Sequence, residues 1–206
     1  MRTLPSLSTV SDSLTWTIQV LTKIGVDSPR LEAEWLLTDL LFTSRADLYL
    51  YRQRRLTPDQ HSHFQDAVRR RAKRIPLQQI LGNAEFFSLL FKVTPQVLIP
   101  RPETERLVDA LAARLKNSPP PRILDVGTGS GAIAVALAHT LPESRIVASD
   151  LSANALRVAR NNARLNRTEN RIAFVRGDLL SPFCAHPTFH ALASNPPYIP
   201  SDDLPR

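Results

Sequence analysis

The sequence predicts an α/β protein in three parts: a small all-α bundle over residues 1–82, a short β-hairpin linker over 83–101, and a doubly wound domain on a parallel sheet over 102–206. Three observations carry the prediction. From about residue 11 to 81 the apolar residues recur at helical spacing. After the proline run "NSPPP" (Asn117 to Pro121) the pattern alternates between short apolar runs and amphipathic stretches, the mark of parallel strands joined by crossover helices. A glycine-rich turn, "GTGSG", falls where the first of those strands meets the first of those helices.

Each element has a local reason. Leu14, Ile18, Leu21 and Ile24 share one helical face, and Gly25 stops that helix. A second helix opens at Ser28 with Pro29 in its first turn and turns Leu36, Leu37, Leu40 and Leu41 to a core. Thr57, Pro58 and Gln60 form the cap, first position and capping box of a third, "TPDQHSHFQDAVRRRAKR". Aromatic and branched residues in "AEFFSLLFKVT" suit a hairpin. "RPETERLVDALAARL" is an amphipathic helix with Pro102 near its start. Beyond the prolines come strand "RILDV", a helix from about Gly131 to Thr140, strand "RIVASD", helix "SANALRVARNNARLN", strand "RIAFVRGD" and strand "HALASN".

Composition narrows the setting. The chain has 206 residues, 43% hydrophobic and 22% charged, ordinary for a soluble globular protein with a proper core. Cys184 is the single cysteine, so no disulfide forms within the chain. No apolar run reaches membrane-spanning length and the first residues lack a signal-peptide core, which makes the cytoplasm the expected location. A net charge of +7, concentrated in "YRQRR" and "RRRAKR", favours an anionic partner such as RNA or an acidic protein surface, and equally suits a solvated helix face. His61 and His63 lie two apart on a helix and do not share a face, so no metal site is expected. Trp16 and Trp35 fit helix packing, and Cys184 lies in a loop without a basic neighbour.

The glycine turn implies a nucleoside ligand. Gly127, Gly129 and Gly131, with Thr128 and Ser130 between them, let the chain turn tightly and let a ligand approach the amides and the helix N-terminus. The same letters satisfy a dinucleotide fingerprint, so the acidic residues discriminate. Asp150 ends the next strand, where a carboxylate can accept both hydroxyls of a ribose. Asp125, at the end of the first strand, would repel a pyrophosphate and attract a cation. The pattern D-x-G-x-G-x-G therefore favours S-adenosylmethionine, which has no phosphate and carries a sulfonium, over NAD. Asp178 and the backbone at Leu179 follow the third strand at the same sheet edge, where they either contact an adenine or cap the next turn.

The fourth strand delivers "NPPY", Asn195 to Tyr198, to that edge beside the first strand. A planar amide or aromatic amine is a poor nucleophile because its lone pair is delocalised. Two acceptors aimed at its N–H groups, the Asn195 side-chain oxygen and the Pro196 carbonyl, would hold the lone pair toward a methyl donor and stabilise the developing charge. Pro196 and Pro197 fix φ and keep the loop from becoming a helix, and Tyr198 offers a flat face for stacking. Asn195, Pro196 and Tyr198 are thus the catalytic candidates, and Asn195 to Tyr198 the acceptor-binding ones. Arg101, in "PRPETE", either covers the cofactor pocket or pairs with Glu103 or Glu105.

With "RIPLQQILGNAEFF", "LIPRPETE", "ILDVGTGSGAIAVALA", "SDLSANALRVARNNA" and "SNPPYI" in place, most of the chain resembles the HemK/PrmC family. The resemblance implies a Rossmann-like class I methyltransferase domain and transfer from S-adenosylmethionine to the glutamine side chain in the GGQ motif of peptide-chain release factors. It also implies cofactor contacts at Gly127 through Gly131, Asp150 and Asn195, and a glutamine-binding loop at Asn195 to Tyr198. Leu179 stands where many members have an aromatic residue. Members of the family continue well beyond this motif, so the chain, ending at Arg206, reads as truncated and its methyltransferase domain as incomplete. The expected partner is a release factor, with no direct nucleic-acid substrate, no membrane and a monomeric state. Two other readings remain at this stage: adenine-amino methylation of DNA or RNA, and a non-catalytic fragment that binds release factors.

Overall fold

A computed structural model of the chain describes residues 8–116, 119–183 and 188–196. The chain divides into two compact units, Met1–Leu81 and Gly82–Arg206, so the hairpin belongs to the second unit.

The first unit is helical: α1 (Val10–Lys23), α2 (Pro29–Leu41), α3 (Arg45–Leu50), α4 (Pro58–Ala72) and α5 (Leu77–Leu81). Three of them begin with a reciprocal capping box. Thr9 with Asp12 opens α1, Ser44 with Asp47 opens α3, and Thr57 with Gln60 opens α4. Leu36, Leu37, Leu48, Phe64 and Val68 meet in its core, and Trp16 packs beside Phe64 at 6.5 Å between ring centroids. Trp35 is only half-buried. Glu34, buried among them, accepts from Arg45 Nε at 2.7 Å and from the Tyr49 hydroxyl. Burial pushes its carboxyl up, but the hydrogen bonds from Tyr49 and Arg45 and the arginine charges outweigh it and hold the group below its usual range.

In the second unit, β1 (Asn83–Phe86) and β2 (Leu89–Lys92) pair antiparallel around a turn in which Phe87 and Ser88 both take positive φ. A short 3-10 turn (Pro102–Thr104) then leads into α6 (Glu105–Leu115). The alternating part follows: β3 (Arg122–Val126), α7 (Ala132–Thr140), β4 (Arg145–Asp150), α8 (Ala153–Leu165), β5 (Ile172–Arg176) and β6 (Ala191–Ser194). The four strands are parallel in the order β5-β4-β3-β6. This is the α/β, Rossmann-like arrangement the alternation predicts.

Position in the sheet explains sequence. β3 has neighbours on both sides and is buried from Ile123 to Val126, which is why "ILDV" shows no polar alternation. α7 is apolar all round, and Ala132 to Ala138 are all buried; α6, α8, β4 and β5 all pack against it. The order reverses at β3, because the chain moves outward through β4 and β5 and returns to place β6 on the other side. The carboxyl ends of β3 and β6 therefore flank the switch point, where ligands bind in sheets of this kind.

Candidate active site

The glycine turn is built from below by Asp125. Its side chain is fully buried, and Oδ2 accepts from the Thr128 hydroxyl at 2.6 Å and from the Ala134 amide at 3.2 Å. Among the described residues Oδ1 has no hydrogen-bond partner. Burial lifts this carboxyl to about 6, against the two hydrogen bonds and with some help from the charge of Asp150. The turn itself needs glycine: Gly127, Gly129 and Gly131 have φ of 70°, 56° and 82°. A Cβ on Gly131 would meet Ala159 Cβ at 3.0 Å, so this position also lets α8 approach the turn.

A second support comes from α8. Asn162 is fully buried; its Oδ1 accepts from the Lys92 amide at 2.7 Å, and its Nδ2 donates to the Lys92 carbonyl at 3.0 Å and the Ser130 carbonyl at 2.8 Å. One side chain thus fastens the end of the hairpin to the glycine turn. Asn166 adds a bond from its Nδ2 to the Leu90 carbonyl at 2.9 Å.

Asp150 closes the turn from β4. Oδ2 accepts from the Gly129 amide and Oδ1 from the Ser152 amide, both at 2.9 Å. Each oxygen keeps lone-pair capacity for a further donor, as a ribose diol requires. Asn195 leaves β6 next to β3, and its Nδ2 donates to Thr104 Oγ1 at 2.8 Å. The strand end is fixed by Ser194, whose hydroxyl donates to the Val126 carbonyl at 2.9 Å.

These groups surround one cavity of about 470 Å³. It brings together Gly127, Thr128, Gly129 and Ser130 of the turn, Asp150, Asp178, Leu179 and Asn195. Arg101 lines it too. Asp125 does not line it: fully buried beneath the turn, it shapes the turn and exposes no atom to an occupant. Gly131 likewise lies off the lining and acts through packing. Leu179, in the left-handed region with φ 45°, is 66% exposed, and Pro196 is exposed just after Asn195. Pro197, Tyr198 and Cys184 lie outside the described residues.

The chemistry of the lining separates the two cofactors the turn allows. Its charged side chains are Asp150, Asp178 and Arg101, and none of the turn residues is basic. Two carboxylates against one guanidinium, over a buried third carboxyl, suit a cationic ligand and disfavour a pyrophosphate. Leu98, Leu151 and Leu179, each more than half exposed, supply apolar surface in the same cavity, as a purine needs.

Sequence reasoning missed Thr104, Asn162 and Leu151. Thr104 sat in a segment marked for its resemblance, but its partner is 91 residues away. Nothing local in "RNNAR" separates Asn162 from Asn161 except that Asn162 falls on the buried face of α8. Leu151 follows the acidic strand end directly, and an apolar residue there was the available signal.

Among known families, residues 12–82 match the PrmC N-terminal domain and residues 103–203 match the methyltransferase small domain. Similar proteins include the release factor glutamine methyltransferases of Rhodopirellula baltica, 40% identical over 204 residues, and Moorella thermoacetica, 46% identical over 181. That of Geobacter sulfurreducens is 42% identical over 200 residues. The alignments cover 96%, 88% and 97% of this chain and 69%, 64% and 69% of the relatives, so the chain spans about two thirds of their length. With both domains matched and this identity across nearly all of its residues, the chain belongs to the release factor glutamine methyltransferase family.

Proposed function

We propose that the protein transfers a methyl group from S-adenosylmethionine to the side-chain amide nitrogen of the glutamine in the GGQ motif of peptide-chain release factors. The observation that carries this reading is the placement of Asn195. It stands at the carboxyl end of β6, beside β3 and its glycine turn, in the wall of a phosphate-averse nucleoside cavity. The family membership supplies the acceptor class.

The cofactor, when bound, supplies an electrophilic methyl group on a sulfonium. Asp150 would take the ribose hydroxyls, Leu98, Leu151, Leu179 and Asp178 would hold the adenine, and the Gly127–Ser130 turn would accommodate the remainder. Asn195 and the Pro196 carbonyl accept the two amide protons of the glutamine. That pairing holds the amide plane so that its nitrogen lone pair faces the methyl group, and it stabilises positive charge as the bond forms. The methylated nitrogen then loses its extra proton without a dedicated base.

The helical unit supplies contacts to the protein substrate, and the protein works in the cytoplasm as a monomer. No helix among the described residues is long and apolar enough to cross a membrane. The test is transfer from labelled cofactor to a release factor. Label that disappears when the acceptor glutamine is replaced supports the reading; label that persists overturns it. Labelling of adenine in nucleic acid would install the amine-on-a-base alternative. Cofactor binding with no transfer to any acceptor would leave a non-catalytic binding module.

A further inference from the structure

We propose that the amino-terminal edge of the parallel sheet carries a phosphate-binding site formed by Arg122, Arg145 and Arg171. It is separate from the cofactor cavity and does not depend on the methyl-transfer reading.

The three arginines stand in one row. Arg122 opens β3 and pairs with Arg145, which opens β4. Ile146 pairs with Ile172, so Arg145 lies beside Arg171, the residue before β5. Paired residues of parallel strands project from the same face, and neighbouring strands lie about 4.8 Å apart, so three positive side chains are set next to one another. Like charges placed opposite one another in a sheet destabilise it. Within the protein nothing offsets them: among the described residues none of the three forms an ion pair.

The row lines a cavity of about 240 Å³ together with Asn170, Phe189 and apolar residues of β4 and β5, and no carboxylate is among its described lining residues. The frame beneath it is fixed. The Arg122 amide donates to His190 Nδ1 at 2.9 Å, and the Arg122 carbonyl accepts from the His190 amide at 2.8 Å. The Arg145 amide donates to the Pro121 carbonyl at 2.9 Å, and its Nη1 donates to the Asn170 carbonyl at 3.3 Å, within the short 3-10 turn Glu169–Arg171. Arg171 is partly buried, and its Nε has no hydrogen-bond partner among the described residues. Guanidinium groups on such a frame keep donor capacity that the fold does not use.

An oxyanion with several acceptor oxygens matches that capacity. A guanidinium presents its donors as a planar fork that phosphate accepts in pairs, so arginine at all three positions favours phosphate over an anion read as a point charge. Arg122 and Val126 lie at opposite ends of β3, four steps or roughly 13 Å apart, so phosphate and cofactor bind without competing. The two edges of one sheet therefore select opposite charges: carboxylates predominate in the cofactor cavity, and only cations are charged in this one.

The test is calorimetric titration of the 206-residue chain with inorganic phosphate at low ionic strength, for the parent, for Arg122→Gln with Arg145→Gln, and for Arg157→Gln with Arg164→Gln. Arg157 and Arg164 are exposed on α8 and off the lining, so the second pair makes the same change of net charge elsewhere. We expect R122Q/R145Q to weaken phosphate binding by about tenfold or more, the scale of losing charge-assisted bonds, with R157Q/R164Q like the parent and cofactor affinity equal in all three. Oligouridylate then finds the source. If it displaces phosphate, and its slope of log affinity against log salt falls by about 1.4 in R122Q/R145Q, 0.7 for each lost contact, the phosphate belongs to a nucleic-acid backbone. If it does not displace phosphate, or binds with an unchanged slope, the site takes a small-molecule phosphate. No binding of phosphate at millimolar concentration overturns the proposal. So does equal loss in both paired variants, or displacement by polyglutamate as readily as by phosphate, each of which marks diffuse charge attraction. Should R122Q/R145Q disturb folding, seen as lost cofactor affinity, the parent decides alone: its Arg171 Nε–H resonance must shift on titration with phosphate, and an unmoved resonance overturns the proposal.

Discussion

Replacing Asn162 by leucine keeps the volume of the side chain and removes every hydrogen bond it makes. Three backbone groups lose their partner: the Lys92 amide, the Lys92 carbonyl and the Ser130 carbonyl. Each stranded group costs about 1–3 kcal/mol when buried. The bond to Ser130 lies in the buried interior, whereas the two to Lys92 are partly reached by solvent, so water recovers some of their loss. The sum for Asn162→Leu is about 3–5 kcal/mol, or on the order of 10–20 °C in the melting temperature of a domain of this size. Both tryptophans, Trp16 and Trp35, lie in the first unit, so fluorescence does not follow the second. Amide hydrogen exchange does, and the amides of Thr128 and Gly131, bonded within and beneath the turn, should lose the most protection. Cofactor affinity should fall as well, because the Ser130 carbonyl no longer anchors the turn. Melting within a degree or two of the parent, with unchanged exchange at the turn, would refute the idea that Asn162 staples the hairpin to the site.

Further predictions concern the same turn. Asp125 has a folded value of about 6 against 3.8 unfolded, so the folded state binds more protons between those values. Its contribution to stability is complete below the unfolded value and is lost as pH rises to and through about 6, a change on the order of 3 kcal/mol. Urea titrations of the parent and Asp125→Asn between those limits test this, since the slope due to this group should vanish in the variant; the same slope in both contradicts it. Gly131→Ala combines φ of 82° with a Cβ 3.0 Å from Ala159 Cβ, at a cost of about 2–4 kcal/mol. Ala159→Gly in that background should relieve the contact only in part, because the Ala159 Cα stands at 3.1 Å and the backbone strain remains, and parent-like stability of the single variant would count against the packing role of Gly131.

What could be read from the sequence was local. Strand and helix alternation, the capping box of Thr57, and the turn glycines announce themselves within a few residues, because period and φ are set there. The pairing of β6 with β3 also followed, since topology rules leave few alternatives. Two short helices did not stand out: α3 is six residues and α5 five, each too short for a clear period. α2 ends at Phe42 in the left-handed region, where a glycine would have given a signal and a phenylalanine gives none. The site shows the same division. Asp150 and Asn195 line the cavity as their strand-end positions imply, whereas Asp125, at an equally plausible strand end, proves to lie wholly beneath the turn. Burial is a property of the packed structure, and so are the long-range partnerships of Thr104 and Asn162.

The most direct test is to incubate the protein with S-adenosylmethionine and a release factor and to locate the added methyl group by tandem mass spectrometry. An amide clamp at Asn195 and Pro196 predicts one methyl group on the side-chain nitrogen of the GGQ glutamine, abolished by Asn195→Ala. A methyl group on any other atom of the release factor, or an unchanged yield with Asn195→Ala, would contradict it.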